Sequence, residues 1–557
     1  MSTPLRPVVR ARVSCFHCRD SKRRCDKSLP ACQLCRRKDL ECRYPQRRGQ
    51  KAASPIDNTP SFEDVAIRSN SDTTYHGAIQ SERVQDLVSA RAIRFLAPDL
   101  FRDLQLQLPR MEWHMSAEIE AQLGGRQQMQ ETTKAFLQLT RSWMPIVNGK
   151  RHLATVLNPL VPLRRPTALL ALCMKLCCLS VDQVDEKSVL YGLVKRFYAE
   201  VESQEDSCIQ VMQSAAFIAV FEMGDAIFPA AYLTVGALAR YGMAMGMDKI
   251  NQHALGKNCG AAAGASWADI EEMRRVWWGT LILDRYVKCY KLTSKPLTNL
   301  RLRALRLLNV SQPSRGLSTA DPSFEDFLPV DDEFFYSQSS SPEHATRISE
   351  GFTFKMGSFA RLCQAMHLIS KSLALCRGVF SDSPEAPQND SPEEVGQVCR
   401  TLESLVRVNE LEATSRRLAF CSQSCVSYIG ILLLQQHYWH QPGHESEQDS
   451  TLNIFPETIS ALETLVRISA TLREGGYDLW QHLEDGRCSL FLVELVYQGM
   501  LVLLRMGKVW LAEDVQSKKE SLTWLLSHMG KRWPLVAVYK RILEARESML
   551  AVEDALT

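Results

Sequence analysis

Six cysteines constrain this chain more than any other feature: Cys15-x2-Cys18-x6-Cys25-x6-Cys32-x2-Cys35-x6-Cys42. The series is one unit, C-x2-C-x6-C, written twice. A C-x2-C pair brings two thiolates onto one metal edge, and the turn between them presents backbone N–H groups to the sulphurs. Two separate tetrahedral sites need eight ligands, so six sulphurs complete both only if two of them bridge. Zinc suits such a set because it is thiophilic, redox-inert and content with tetrahedral sulphur. The segment has almost no apolar core, so metal must supply its folding energy, about 10–16 kcal/mol per structural zinc.

Competing uses of the thiols are weaker. A disulfide knot needs an oxidising compartment, and MSTPLRPVVRARVSC has neither an apolar signal core nor a small-residue cleavage site. Two unrelated C-x2-C ribbons would leave Cys25 and Cys42 idle. A redox sensor or metal buffer built from the same thiolates stays open on spacing alone. The remaining cysteines have no ligand spacing, and Cys173/Cys177/Cys178 and Cys421/Cys425 read as small buried apolar residues on helices.

Charge is distributed unevenly. Residues 1–51 hold fifteen Lys and Arg against four acids, a net +11, whereas the whole chain carries only +3. A basic head on a mildly acidic body is the asymmetry expected when one end meets a polyanion. The apolar runs Ser427–Leu434 and Leu490–Leu511 are too short or too polar to span a bilayer, so no membrane role is expected.

Residues 52–80 are Ser-, Thr-, Asn-, Asp- and Pro-rich without periodicity and read as a flexible linker. From residue 81 to 557 apolar residues recur at helical spacing, through stretches such as Ala231–Met247, Glu271–Tyr290, Ser489–Leu511 and Lys519–Ala551. Polar insertions interrupt the pattern at 381–395 and 441–450, and no alternating β segment is evident. The predicted architecture is a small metal-stabilised two-helix module over 1–51, a linker, and a large all-α domain.

The stretch SCFHCRDSKRRCDKSLPACQLCRRKDLECRYP resembles the fungal zinc binuclear cluster DNA-binding domain over the whole module. The resemblance implies two zinc ions, with Cys15 and Cys32 bridging. One ion would be held by Cys15, Cys18, Cys25 and Cys32, and the other by Cys32, Cys35, Cys42 and Cys15. It also implies a linking proline, often cis, at Pro30. Short helices are expected at Arg19–Arg24 and Arg36–Leu40. The lysine three residues before the third cysteine, Lys22, takes the family's base-reading place on a CGG-type triplet, where a cationic donor meets guanine O6 and N7. Arg19, Arg23, Arg24, Arg36, Arg37 and Lys38 suit phosphate contacts. Arg43, Arg47, Arg48 and Lys51 extend the basic run, as phosphate contacts or as part of an import signal.

The body carries a second resemblance. EEMRRVWWGTLILDRYV (Glu271–Val287) is similar to the hallmark helix of the fungus-specific regulatory domain, flanked by GALARYGMAMGM (Gly236–Met247) and LPVDD (Leu328–Asp332). The likeness runs over about 127–375 and departs from the family at Ser294-Lys295-Pro296. On residue spacing alone this helix buries its Trp and aliphatic faces, with Arg274 and Asp284–Arg285 satisfied by ion pairs. DPSFEDFLPVDDEFF (Asp321–Phe335) has the composition of an activation segment, but an ordered loop is the favoured reading.

Together the resemblances imply a nuclear, DNA-binding regulator of RNA polymerase II transcription, an activator more than a repressor, serving a secondary-metabolite or other pathway gene set. Expected partners are double-stranded DNA and the transcription machinery or its coactivators. Homodimerisation and a small-molecule inducer held by the body stay open, because the stripe begun by Val84, Leu87 and Ile93 meets Pro98 before completing three heptads. No catalytic motif is present, and no enzymatic activity is expected.

Overall fold

A computed structural model describes residues 11, 13–21, 23–38, 40, 42–44, 90–106, 115–204, 207–257, 259–289, 317–350, 356–376, 392–416, 422–438, 454–474, 488–506 and 512–556. The chain divides into two compact units, residues 1–112 and 113–557. The linker at 52–80 and the insertion at 441–450 lie outside the described residues.

The first unit contains two five-residue helices, α1 (Phe16–Asp20) and α2 (Gln33–Arg37), and further along a short helix α3 (Pro98–Asp103). Both helices of the head start one residue after a cysteine. Cys15 and Cys32 occupy the N-cap positions with nearly equal extended dihedrals, φ −63° and ψ 158° against φ −70° and ψ 153°. The helices were expected to begin after each C-x2-C pair. They begin inside it, because the capping cysteine's backbone turns the chain and the second cysteine of each pair sits within the first turn.

The described residues of the second unit form helices joined by turns and loops, with no strand among them and one isolated bridge between Phe327 and Arg347. Its helices are α4 (Ala117–Leu123), α5 (Arg126–Thr140), α6 (Gly149–Leu157), α7 (Arg165–Cys178), α8 (Val184–Gln204), α9 (Ile209–Gly224) and α10 (Ala230–Ala244). They continue with α11 (Trp267–Cys289), α12 (Asp332–Ser337), α13 (Ser358–Leu375), α14 (Pro392–Arg416), α15 (Ser422–Tyr438), α16 (Pro456–Arg473), α17 (Leu490–Met506), α18 (Ala512–Met529) and α19 (Leu535–Leu556). No described helix is long and apolar enough to cross a membrane.

The middle of the body is made by mostly apolar helices that are buried on every side, as a helix with neighbours all round requires. α9 is buried at every position from Val211 to Gly224, and α7 at nearly every position. Packing passes from α7 to α9, α10, α11, α13, α15 and α17, so one continuous core runs through the unit. Gly242 permits the close approach of α10 to α11: a Cβ there would lie 2.7 Å from the Trp277 ring.

Three helix ends differ from the periodicity. α10 stops at Ala244 because Gly246 turns left-handed (φ 73°) and starts a 3-10 turn at Met247. The Lys519–Ala551 pattern is two helices, α18 and α19, since Gly530 and Pro534 break it between them. α14 already includes residues 392–395, the end of the polar stretch 381–395, with Pro392 at its first position, where a missing N–H costs nothing.

Candidate metal centre and DNA-reading head

Sulphur positions in the head provide a direct test of a two-zinc cluster. A Zn–S bond of about 2.3 Å sets the edge of a ZnS4 tetrahedron at about 3.8 Å. The observed Sγ···Sγ separations are Cys15–Cys32 3.9 Å, Cys15–Cys35 3.8 Å, Cys18–Cys32 3.7 Å and Cys15–Cys25 3.9 Å. Each of these pairs falls within one of the two four-cysteine sets, and Cys15 meets members of both. Cys15, Cys18, Cys32 and Cys35 are buried, with their Sγ atoms all within 4.8 Å of one another. Cys25 and Cys42 are partly buried at the rim. Two tetrahedral zinc ions fit this donor set.

The chain around the sulphurs is arranged to hold them. Cys35 N–H donates to Cys32 Sγ at 3.4 Å, and Cys32 N–H to Cys42 Sγ at 3.3 Å. Phe16 N–H reaches Arg43 C=O at 2.9 Å, which fastens the first helix to the end of the module. Asp26 accepts from Ser28 Oγ at 2.7 Å and from Gln33 N–H at 2.9 Å, so its carboxylate braces the connecting loop. Tyr44 Oη donates to Ser28 C=O at 2.8 Å and closes the other side. The Leu29–Pro30 bond in this loop is cis, as the resemblance implied for Pro30.

So dense a set of thiols cannot ionise together without cations. Burial pushes Cys15, Cys18 and Cys35 up, Cys35 to about 12. Burial opposes the Cys32 thiolate as well, but the Cys35 N–H and the neighbouring thiols donating to its sulphur outweigh it and bring Cys32 down to about 6. Bound zinc stabilises thiolates, and the module's fold then depends on the metal.

The predicted DNA contacts are divided between helix and loop. Arg19 lies in α1 with its guanidinium over the Phe16 ring at 5.6 Å. Arg23 and Arg24 follow the helix, and Arg23 N–H bonds Cys18 C=O at 2.8 Å. Arg36 and Arg37 form the last turn of α2, with Lys38 as its C-cap. All six side chains are exposed. Lys22, the predicted base reader, lies outside the described residues.

In the body, the Trp-pair helix α11 is structural. Trp278 is fully buried and donates to Phe327 C=O at 3.0 Å. Arg285 donates to Ser370 Oγ at 2.7 Å and to Asp321 at 2.9 Å, and Asp284 accepts from Thr319 N–H at 2.9 Å. Arg274 pairs with Glu271 at 3.2 Å, in keeping with the expected ion pairs. Sequence reasoning passed over Arg275, which joins Glu271 (2.9 Å) to Asp332 (2.8 Å), and Glu272, which accepts from Asn148 N–H and Gln213 Nε2 (both 2.9 Å). The signal for Arg275 was present as i,i+4 spacing from Glu271, but its far partner could not be read from spacing. The Asp321–Phe335 stretch is ordered, with Leu328, Val330 and Phe335 buried. Ser294-Lys295-Pro296 lies outside the described residues. Cys173 and Cys177 are buried on α7, Cys425 is buried on α15, and Cys421 lies outside the described residues.

Comparison with known proteins bears on both units. Residues 13–51 match the fungal Zn(2)-Cys(6) binuclear cluster domain, and residues 165–392 the fungal specific transcription factor domain. The chain is 35% identical over 162 residues to the transcription factor BOA15 of Botryotinia fuckeliana, covering 29% of this chain and 86% of that protein. It is 44% identical over 55 residues to the transcription factor gsfR2 of Penicillium aethiopicum, covering 9% of this chain and 13% of that protein. An uncharacterized transcriptional regulatory protein of Schizosaccharomyces pombe is 22% identical over 405 residues, 68% of this chain and 52% of that one. No solved structure matches the chain. A sulphur cage of zinc-cluster dimensions, a cationic surface around it and a body matched to the family's regulatory domain place this chain among the fungal zinc binuclear cluster transcription factors.

Proposed function

We propose that the protein activates a pathway or secondary-metabolite gene set by reading CGG-type triplets in the major groove. The observation that carries this reading is the shape of the head: sulphur separations of 3.7–3.9 Å, ringed by six exposed cations. Cys15, Cys18, Cys25, Cys32, Cys35 and Cys42 are the zinc ligands, with Cys15 and Cys32 bridging. Lys22 donates to guanine O6 and N7. Arg19, Arg23, Arg24, Arg36, Arg37 and Lys38 contact phosphates and set register. Residues 1–51 act as the DNA-binding module, 52–80 as a tether and 81–557 as the regulatory body. The protein works in the nucleus with RNA polymerase II coactivators, as a homodimer or as a monomer on one triplet.

Genome-wide mapping of bound sites tests this directly. Enrichment of CGG triplets upstream of genes whose transcripts fall when the protein is deleted is the expected result. Bound sites without such a triplet would remove Lys22 from its role, and rising transcripts on deletion would make the protein a repressor.

A second reading, in which the body responds to a metabolite, is favoured by one feature: a polar cavity among α6, α7, α9 and α11.

A further inference from the structure

Helix α19 (Leu535–Leu556) carries two apolar faces, and the body covers one of them. Val536, Tyr539 and Leu543 are buried against the core. A second row runs Leu535, Val538, Ile542, Ala545, Met549 and Val552, spaced three, four, three, four and three residues apart. At about 100° per residue it lies one residue round the helix from the first. Past Leu535 this row opens to solvent: Val538 is 42% exposed, Met549 58% and Val552 59%, with Ala545 exposed between them. Arg541, Glu544 and Ser548 are exposed on its far side, so the row is a bounded stripe.

A helix that only caps a core needs one apolar stripe, and leaving a second in water is unfavourable. Alternating steps of three and four average 3.5 residues, the repeat that keeps a seam against a partner helix over several turns. Steric fit selects a second copy of the same helix, running the opposite way. In that pairing Ile542 meets the partner's Val552, and small Ala545 meets the long side chain of the partner's Met549. A parallel pair would set Ala545 on Ala545 and Met549 on Met549, alternating a void with an overfilled layer. It would also bring Arg541 against the partner's Arg546 on both sides of the seam. The antiparallel pair has one arginine approach, Arg546 to its own copy near the two-fold axis. That side chain is half-buried and already engaged within its own chain.

We propose that α19 is a homodimerisation surface, pairing antiparallel with α19 of a second copy through Ile542, Ala545, Met549 and Val552. The inference gives a surface to the homodimer of the proposed function, and rests on that reading only for the dimer's role of bringing two zinc heads to paired triplets. α19 is already folded against the body, so pairing does not have to form a helix. From Val538 to Val552 the seam is only about 20 Å long. It falls short of the roughly 800 Å² per partner of a standard interface, so the free dimer is expected to be weak, with a Kd on the order of 10 µM. Two triplets on one duplex make the second contact intramolecular and raise the occupancy of the pair.

The test is sedimentation velocity of full-length, zinc-loaded protein between about 1 and 100 µM, the range that brackets such a Kd. A concentration-dependent monomer–dimer equilibrium is expected. Met549→Glu and Ala545→Lys should each weaken it at least about tenfold, while Glu544→Lys, outside the seam, leaves it unchanged. Both seam positions are exposed, so the unfolding midpoints should match wild type; Val552→Glu replaces either variant that misfolds. Mixing Met549→Glu with Ala545→Lys protein should restore dimers, because the antiparallel register sets the new glutamate against the new lysine. A monomer throughout the range, dimers indifferent to the seam variants, equal loss with Glu544→Lys, or no rescue on mixing overturns the seam. Each preparation is also titrated on a duplex with a single CGG triplet. Loss of the dimer with that binding intact is the result expected of the seam variants, whereas wild-type dimers that ignore the triplet support the seam and sink the DNA reading.

Discussion

Arg275 and Asp332, 57 residues apart in the chain, meet at 2.8 Å with the arginine wholly buried. The same carboxylate accepts from Ser358 Oγ at 3.0 Å and Phe359 N–H at 3.3 Å, so one acid joins the Trp-pair helix to the start of α13. Burial alone would lower the Arg275 pKa, but the Asp332 and Glu271 carboxylates outweigh it and raise it. Removing Asp332 leaves Glu271 to carry a buried cation alone, and loss of one partner of a buried pair is costly. Asp332→Ala is expected to lower stability by about 3 kcal/mol in urea titrations of the full chain. A loss below about 1 kcal/mol would mean that this pair contributes no more than a surface one.

A different buried acid should make stability depend on pH. Glu494 is fully buried on α17 and accepts from Tyr539 Oη on α19 and from Gln498 Nε2, with no cation among its described partners. Burial pushes its carboxyl up to about 7. The folded state therefore holds this proton while the unfolded chain releases it near the ordinary glutamate value. Stability is full below the unfolded pKa, falls as pH rises toward about 7, and stays lower above. The total is bounded at about 3 kcal/mol, taking 1.36 kcal/mol per pKa unit. Glu494→Gln mimics the protonated form and should flatten the wild-type slope between about pH 5 and 7 and raise the unfolding midpoint at pH 8. Parallel pH profiles for the two proteins would show that Glu494 does not titrate in that window.

Base reading predicts a selective loss of affinity. Lys22→Ala should weaken binding to a CGG duplex by about 1–3 kcal/mol and leave scrambled duplex nearly unchanged. Arg36→Ala, a phosphate contact, should weaken both alike and make the salt dependence shallower. Equal losses on the two duplexes for Lys22→Ala would move Lys22 into the phosphate-contact group.

Metal content should be two zinc ions per chain by elemental analysis. Stripping them with chelator should abolish duplex binding while the body keeps its helical circular dichroism, because zinc supplies the folding energy of the head alone. Cys32→Ser removes a bridging sulphur and is expected to disrupt both sites, whereas Cys42→Ser should spare one ion. Equal metal loss in the two variants would refute the shared-sulphur scheme.

The six-cysteine spacing determined the head by itself, since two C-x2-C units and a count of sulphurs leave few ways to complete two tetrahedra. Helical periodicity likewise determined that the body is all-α, because the 3.6-residue pattern of apolar residues is local information. Helix ends were less legible: Gly530 and Pro534 split a stretch whose apolar spacing alone looks continuous. What only the tertiary structure decided were meetings between distant segments. Arg275 with Asp332, Glu272 with Gln213, and His152, Thr167 and Gln213 around one cavity all depend on how separate helices cross. Those crossings are set by side-chain packing over the whole core, which no short stretch of sequence encodes.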